Sequence, residues 1–402
     1  MEIRPTTDQD RDVFVDTVHS AFALHPETPH EDGGGLWWSA IEMDRGLLAV
    51  TADGRPVGTA AAYSFELTLP GAILAPAAGI SAVGVLPSHR RQGVLTAMMR
   101  YQLAELRGRG EFLAVLLASE APIYGRFGYG PATYSGRITV ARHQGALAAP
   151  RACGRVDGSV EVMRRAECGE ILEDVYDRHR RAQPGALSRP HRWWSLGAGQ
   201  PPIARTPRYV AVHRDADGVP DGYASYSLSD RVLTVDETIA ADDAVSTALI
   251  EFLLGHDLVT KVVFKHFPPG HPLRWQLADF RAAEVSHDDD WLWVRLLDVP
   301  RALTARGWFT DGELVIDVDD PFLDEHHRYL LTIRDGKADC VTTDRDPDLS
   351  LDVRDLGSIY LGGTAPSTLV RAGHIRAHRP EAVMLADNLF RAERQPHCLH
   401  WF

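Results

Sequence analysis

Apolar positions recur along this chain at two spacings, and each change of spacing marks a new element. Residues 2–4 (EIR) read as a short first strand. Over residues 7–22, Val13, Val15, Val18 and Phe22 fall near one side at helical spacing. The stretch LHPETPHEDGGGLWWS is rich in Pro and Gly, reads as loop, and carries Trp37 and Trp38. In residues 46–70 two apolar runs flank ADGRP, where Asp-Gly suits a tight hairpin turn. GISAVGVLP is a further strand ended by Pro87. HRRQGVLTAMMRYQLAELRGRG reads as a loop entering a helix, with Leu95, Met98, Met99, Leu103 and Leu106 as its apolar stripe. FLAVLLAS is a buried strand, and APIYGRFGYGPATYSGRITV a helical turn, glycine-rich chain and a last strand. Strands separated by helices in this way predict an α/β domain with a mixed sheet over residues 1–138.

A weaker echo follows. SVEVMRRAECGEILEDVYDRHRRAQPG again opens with a strand and a helix, and RYVAVHRDADGVPDGYASYSL repeats the hairpin. RVLTVDETIAADDAVSTALIEFLLGH repeats the strand-to-helix step, so residues 139–288 read as a diverged second copy of the same plan. RWWSLGAGQPPIARTPR looks like connecting chain within it. From WLWVRLLDVPRALTARGW onward the character shifts. ELVIDVDD, YLLTIRDGKADCVTT and LSLDVRDL alternate at period two, while SIYLGG and PSTLVRAG read as helical pieces. Residues 289–402 are therefore expected to form a third, α+β domain.

Composition narrows the function classes. The 402 residues are 45% hydrophobic and 24% charged, which supports several cores without disulfide or metal staples. A formal charge of −13 argues against nucleic acid as a partner and suits a cationic one. The cysteines Cys153, Cys168, Cys340 and Cys398 are scattered, and the histidines lack ligand-like spacing, so no metal site is expected. The polar start and the lack of a long apolar run give an expectation of a cytoplasmic protein with no membrane span.

The chemistry gathers in Val83–Thr96, VGVLPSHRRQGVLT. A strand runs into a tight loop with two arginines and a glycine, and the loop opens a helix. The first turn of a helix leaves N–H groups unpaired, and its dipole places partial positive charge there. Gly93 permits close approach of the backbone, and Arg90 and Arg91 add positive donors, so the turn suits a pyrophosphate. Gln92, Val94, Leu95 and Thr96 contribute by their place on it.

Here the chain resembles the GCN5-related N-acetyltransferase superfamily, whose arginine- and glycine-bearing loop holds the pyrophosphate of CoA. More closely it is similar to the Eis ("enhanced intracellular survival") family. VGVLPSHRRQGVLTAMM, ASEAPIYGRFGYGPAT, WLWVRLLDVPRALTARGW and LGSIYLGG carry the likeness over nearly the whole length. It implies tandem acetyltransferase domains, the second degenerate, then a sterol-carrier-like α+β domain. It also implies acetyl-CoA as cosubstrate and a homohexamer. Residue by residue, it implies that backbone near Val83, Gly84 and Val85 meets the acetyl carbonyl and pantetheine, a donor of the kind that stabilises an oxyanion. Ser119 and Glu120 should lie near the CoA arm, and Tyr124 should be the general acid, with Tyr129 its rival. The base should be the terminal carboxylate of Phe402, since an alkyl amine of pKa about 10.4 must lose a proton. Leu95 departs from the small residue common in the wider superfamily.

The acceptor is less defined. Positions that are acidic in aminoglycoside-acetylating members correspond to Leu24, to the run ending in Asp290, and to Trp401. A histidine is replaced by Leu117, while Trp37 keeps an aromatic wall. These changes favour a small-molecule amine on an apolar or aromatic body over a strongly polycationic one. A protein lysine is a second acceptor class, and a non-catalytic CoA- or lipid-binding protein the alternative of a different kind.

Overall fold

A computed structural model describes residues 1–23, 40–148, 157–195 and 208–402. The first sheet holds β1 (Glu2–Pro5), β2 (Gly46–Val50), β3 (Pro56–Leu69), β4 (Ile73–Val85), β5 (Leu113–Leu117) and β6 (Gly130–Pro131). Strand Leu292–Leu296, from far along the chain, is inserted between β5 and β6. All neighbours run antiparallel except β4 and β5, which are joined by a crossover helix. Helix α1 (Arg11–Ala21) packs on β3 and β4, α2 (Val94–Gly108) is that crossover, and α3 (Ala121–Tyr124) follows β5.

The helical face of α1 differs from the expected one. Phe14, Val18 and Ala21 are buried, whereas Val13 is 37% and Phe22 44% exposed. Spacings of four and three residues put Phe14, Val18 and Ala21 on one stripe, and the larger Phe14 ring fixes which stripe turns inward. On α2 the expected stripe holds, with Val94 and Gln102 buried beside it and Leu95 half-exposed.

The second sheet repeats the hairpin and strand-to-helix step, with strands Tyr209–Arg214, Pro220–Ser229 and Val232–Ala240 leading into helix Asp243–Leu254. Its strand Lys261–Phe267 pairs with Val232–Ala240 in parallel, as β5 pairs with β4. The third sheet carries five strands, with Val353–Tyr360 and Pro380–Phe390 as its main helices. Tandem mixed-sheet domains followed by an α+β domain is thus the architecture, and the sequence-based boundaries need correction. Tyr134–Ala141, read as the close of the first unit, pairs in the second sheet, and Leu292–Leu296, read as the start of the third, completes the first. The divisions at 138/139 and 288/289 each fall inside a strand. A strand period tells which residues face inward but not which sheet receives them.

The inserted strand is buried along its whole length and brings a charge into the core. Arg295, fully buried, donates from Nη1 to Phe127 O at 2.6 Å and from Nη2 to Asp320 Oδ2. One guanidinium so ties the turn after α3 to the third domain. A Cβ on Gly128 would sit 1.4 Å from that guanidinium, and φ there is +81°, so the glycine is required twice over. Replacing Arg295 with Met should leave Asp320 buried and unpaired and destabilise the fold by about 3–5 kcal/mol. Chemical denaturation compares it with the native chain, and Asp320→Asn should be milder.

Candidate active site

The two parallel strands at the centre of the first sheet part company. β4 and β5 pair only over Ala78–Ile80 and Ala114–Leu116. Just beyond, Ala61 faces Ser81 but Thr59 faces Gly84, so Ala60 of β3 alone opposes both Ala82 and Val83 of β4. The extra residue is a β-bulge, which bends its strand. Ala82 takes φ +52°, a left-handed conformation that costs an L-residue roughly 1–2 kcal/mol. The buried Thr59 hydroxyl donates to Ala82 O at 2.8 Å and holds the bulge in place. Past this point the strands diverge, and a cavity of about 810 Å³ occupies the opening.

One wall is Val83, Gly84 and Val85. Gly84 is needed there because a Cβ would lie 2.7 Å from that of Ala21 on α1. One end is the start of α2, where Arg90, Arg91, Gly93, Val94, Leu95 and Thr96 line the cavity with His89. Gly93 is the N-cap at φ +83° and no side chain caps the turn, so its leading N–H groups are left for a bound anion. The Arg90 guanidinium donates to Ala21 O at 2.8 Å and Val85 O at 3.3 Å. It thereby laces the loop to α1 and β4 while keeping its charge at the cavity wall. Gln92 does not line the cavity; its amide donates to Ser88 O at 3.2 Å.

The opposite wall is Ser119, Glu120, Ile123, Tyr124 and Arg126. Pro122 near the start of α3 favours the short turn that aims Tyr124 inward. Tyr124 is 7% exposed. Burial raises its phenol pKa, partly offset by a hydrogen bond from the direction of Ser119, with Glu120 adding to the rise. It is therefore a protonated donor at neutral pH. Tyr129 stacks edge-on against it at 6.3 Å but is fully buried and does not reach the cavity.

The acceptor-side residues are not gathered in this cavity. Phe402 is 6% exposed, its ring 5.0 Å from that of Phe65 and 6.2 Å from that of Tyr63 on β3. A Cβ on Gly79 of β4 would lie 3.1 Å from the Phe402 ring, so the chain end rests on the sheet just before the strands part. Leu117, half-buried, pairs with Leu292, and Asp290 accepts from the Trp293 indole. Trp401 is half-buried. Leu24 and Trp37 lie outside the described residues. Sequence reasoning missed Thr59 and Ala82, because a left-handed alanine leaves no compositional mark. It also missed the place of Phe22 and Ala23 at the mouth. An apolar residue at the end of a helical stripe, as Phe22 is, could have marked a ligand-facing position. Arg126 was within reach, being inside the quoted IYGRFGYG motif.

Residues 2–132 match a family described as an acetyltransferase (GNAT) domain, 185–296 another of that description, and 299–399 a sterol carrier protein domain. The chain is 34% identical over 371 residues to the N-acetyltransferase Eis of Mycobacterium tuberculosis, covering 89% of each chain. The chain belongs to the Eis family of N-acetyltransferases. It is also 35% identical over 412 residues to an uncharacterized N-acetyltransferase of Streptomyces griseus, covering 99% of each. Its fold matches the crystal structure of Eis1 from Mycobacterium abscessus with a TM-score of 0.85 and 33% identity, each chain covered completely.

The second GNAT repeat has the same parting and none of the anion site. Its parallel pairing ends at Val235 and Phe264. The Asp242 side chain accepts from Ala244 N and Val245 N, both at 2.9 Å, and so occupies the helix start that Gly93 leaves open in the first. The cavity there, about 350 Å³, is lined by His179, His266, His271 and His397. Burial lowers all four, His266 and His271 to about 4 and His397 to about 3. Among the described residues no set of three or more ligating side chains is placed to hold a metal ion.

Two expectations follow from this geometry. Thr59→Val should strip Ala82 O of its partner, cost about 1–3 kcal/mol, and lower turnover by relaxing the bulge; denaturation and kinetics read both. The buried imidazoles are neutral when folded and titrate near 6.5 when unfolded. Their stabilisation is therefore complete above pH 6.5 and is lost as pH falls toward 4. Thermal unfolding between those values should show a falling midpoint, and calorimetry in buffers of different ionisation heat should show proton uptake on unfolding.

Proposed function

We propose that this Eis-family enzyme transfers an acetyl group from acetyl-CoA to the amine of a small molecule. The observation that carries the reading is one cavity with an uncapped, arginine-flanked helix start at one end and a buried, protonated Tyr124 on the far wall. The donor set fits acetyl-CoA. Leading N–H groups of α2 and the charges of Arg90 and Arg91 suit a pyrophosphate. Val83, Leu95 and Ile123 offer apolar wall to a pantetheine arm. The bound thioester supplies an activated acyl group.

The chain's own residues do the rest. The bulge at Ala82 turns backbone N–H near Val83 away from the ladder, where it can donate to the thioester oxygen as negative charge develops. The carboxylate of Phe402 takes the proton of the attacking amine. The new C–N bond forms as the C–S bond breaks, and Tyr124 returns a proton to the departing sulfur. A phenol kept protonated by burial serves this step across the neutral range. The replacements at Leu117 and Trp401 of groups that suit a polycation support an acceptor with an apolar or aromatic body.

Tyr124→Phe should lower turnover by roughly 10²–10⁴ with acetyl-CoA affinity nearly unchanged. Stopped thiol-release assays and isothermal titration measure the two separately. Normal turnover in that variant, with chemistry rate-limiting, would remove Tyr124 from the mechanism. The same titration on the native chain should give one acetyl-CoA per chain. Two would mean that the Asp242-capped repeat binds as well.

A further inference from the structure

We propose that the second GNAT repeat, which has no anion site, is the dock for the chain's own C-terminal segment, Gln395–Phe402. Arg189 is the positioning residue that sets where Phe402 lies. This rests on the reading of the Phe402 carboxylate as the base.

The segment is held from one end to the other. Glu393–Gln395 and His397 line the opening of the second repeat, in the place where the first repeat has its cosubstrate cavity. Residues 183–189 leave the second-repeat helix Ile171–Arg180 and run as a strap along the free edge of β3. Gly185 N donates to Thr68 O at 2.8 Å, Thr68 N to Ala186 O at 2.9 Å and Ser188 N to Glu66 O at 2.8 Å. The tail lies against that strap. His397 N donates to Pro184 O at 2.8 Å, and the Gln183 amide donates to Gln395 O at 2.9 Å. A Cβ on Gly185 would sit 3.1 Å from His397 N, and φ there is +86°, so strap and tail meet at backbone contact.

Beyond His397 the side chains divide between two domains. Leu399 enters the second repeat's core with Cys168, Tyr176 and Tyr223. His400, fully buried, stands edge-on to Trp193 at 4.8 Å and to Phe65 of β3 at 4.9 Å. Phe402 then lands on Phe65 and Tyr63. Arg189 sits at the crossing. Its Nε donates to His400 Nδ1 at 3.3 Å, and its terminal nitrogens pair with Glu237 at 3.2 and 3.4 Å. Glu237 belongs to the second-repeat strand Val232–Ala240 and also accepts from the Tyr223 hydroxyl at 2.6 Å. Tyr176 and Trp194 flank the guanidinium at 4.1 and 4.7 Å. A cation so enclosed has one available geometry, and it donates to a neutral His400, whose own protonation is opposed by burial and by Arg189. The buried ion pair of the second sheet thereby fixes the register of a residue two positions before the proposed base.

The test compares the native chain, Arg189→Met, Arg189→Lys and a chain extended by several residues past Phe402. Tail amide exchange, acetyl-CoA titration and the pH profile of kcat/KM for an aromatic amine are the readouts. Arg189→Met should speed exchange over 395–402, leave acetyl-CoA affinity within about twofold, and cut transfer at neutral pH roughly 10- to 100-fold. The deficit should shrink as pH rises toward the amine pKa, because neutral amine no longer needs the base. Arg189→Lys should recover part of the activity. A merely structural loss would lower rates equally at all pH values, and that profile would overturn the proposal. An inactive extended chain beside a normal Arg189→Met chain would also overturn it. A fully active extended chain would instead sink the terminal carboxylate as base. Should Arg189→Met fail to fold, Gln183→Leu, which removes one tail contact, is read against the same outcomes.

Discussion

Everything at the candidate site depends on two parallel strands that stop pairing too soon. β4 and β5 share only three residue pairs, and one extra residue in β4 turns the chain aside at Ala82. The strain of a left-handed alanine persists because Thr59, on the neighbouring strand, satisfies the displaced carbonyl. That parting opens the cavity, with Val83, the α2 start and Tyr124 on its walls. Gly84 and Gly93 are tuned to it, one by the closeness of Ala21 and the other by a positive φ.

Buried arginines bind the domains into one working unit. Arg295 joins the turn after α3 to Asp320 of the third domain, and Arg189 joins the strap and His400 to the second sheet. Arg306, also fully buried, does the same within the third domain, donating to Tyr360 O at 2.6 Å and stacking on Trp308. Each lies where strands or segments distant in sequence meet. A buried ion pair adds little net stability over a pair of apolar residues, but losing one partner is costly and the pair tolerates few geometries. That makes it suited to fixing register between domains that must hold a site to within an ångström.

The two GNAT repeats each part their parallel strands, with opposite chemistry at the helix start. Gly93 leaves donors unfilled, while Asp242 fills them with a carboxylate. The N-cap residue thus leaves one helix start open to an anion and closes the other with a carboxylate. The second opening is instead lined by neutral imidazoles and by the returning tail.

Much of this was written in the sequence. Strand and helix periods marked most elements of the first domain, though not Lys261–Phe267, Ala283–Asp290 or Pro380–Phe390 further on, and the loop VGVLPSHRRQGVLT with IYGRFGYG holds most of the residues that line the cavity. These are local features, because backbone geometry and N-cap chemistry are set within a few residues. The sheet to which Tyr134–Ala141 and Leu292–Leu296 belong was not legible, since both are apolar strands that could complete either sheet. Nor was the inward face of α1, where Val13 and Phe14 compete one residue apart. The bulge at Ala82, the lacing of Arg90 and the resting place of Phe402 on β3 likewise came only from the fold. Each depends on partners tens to hundreds of residues away, and a sequence period carries no information about contacts at that range.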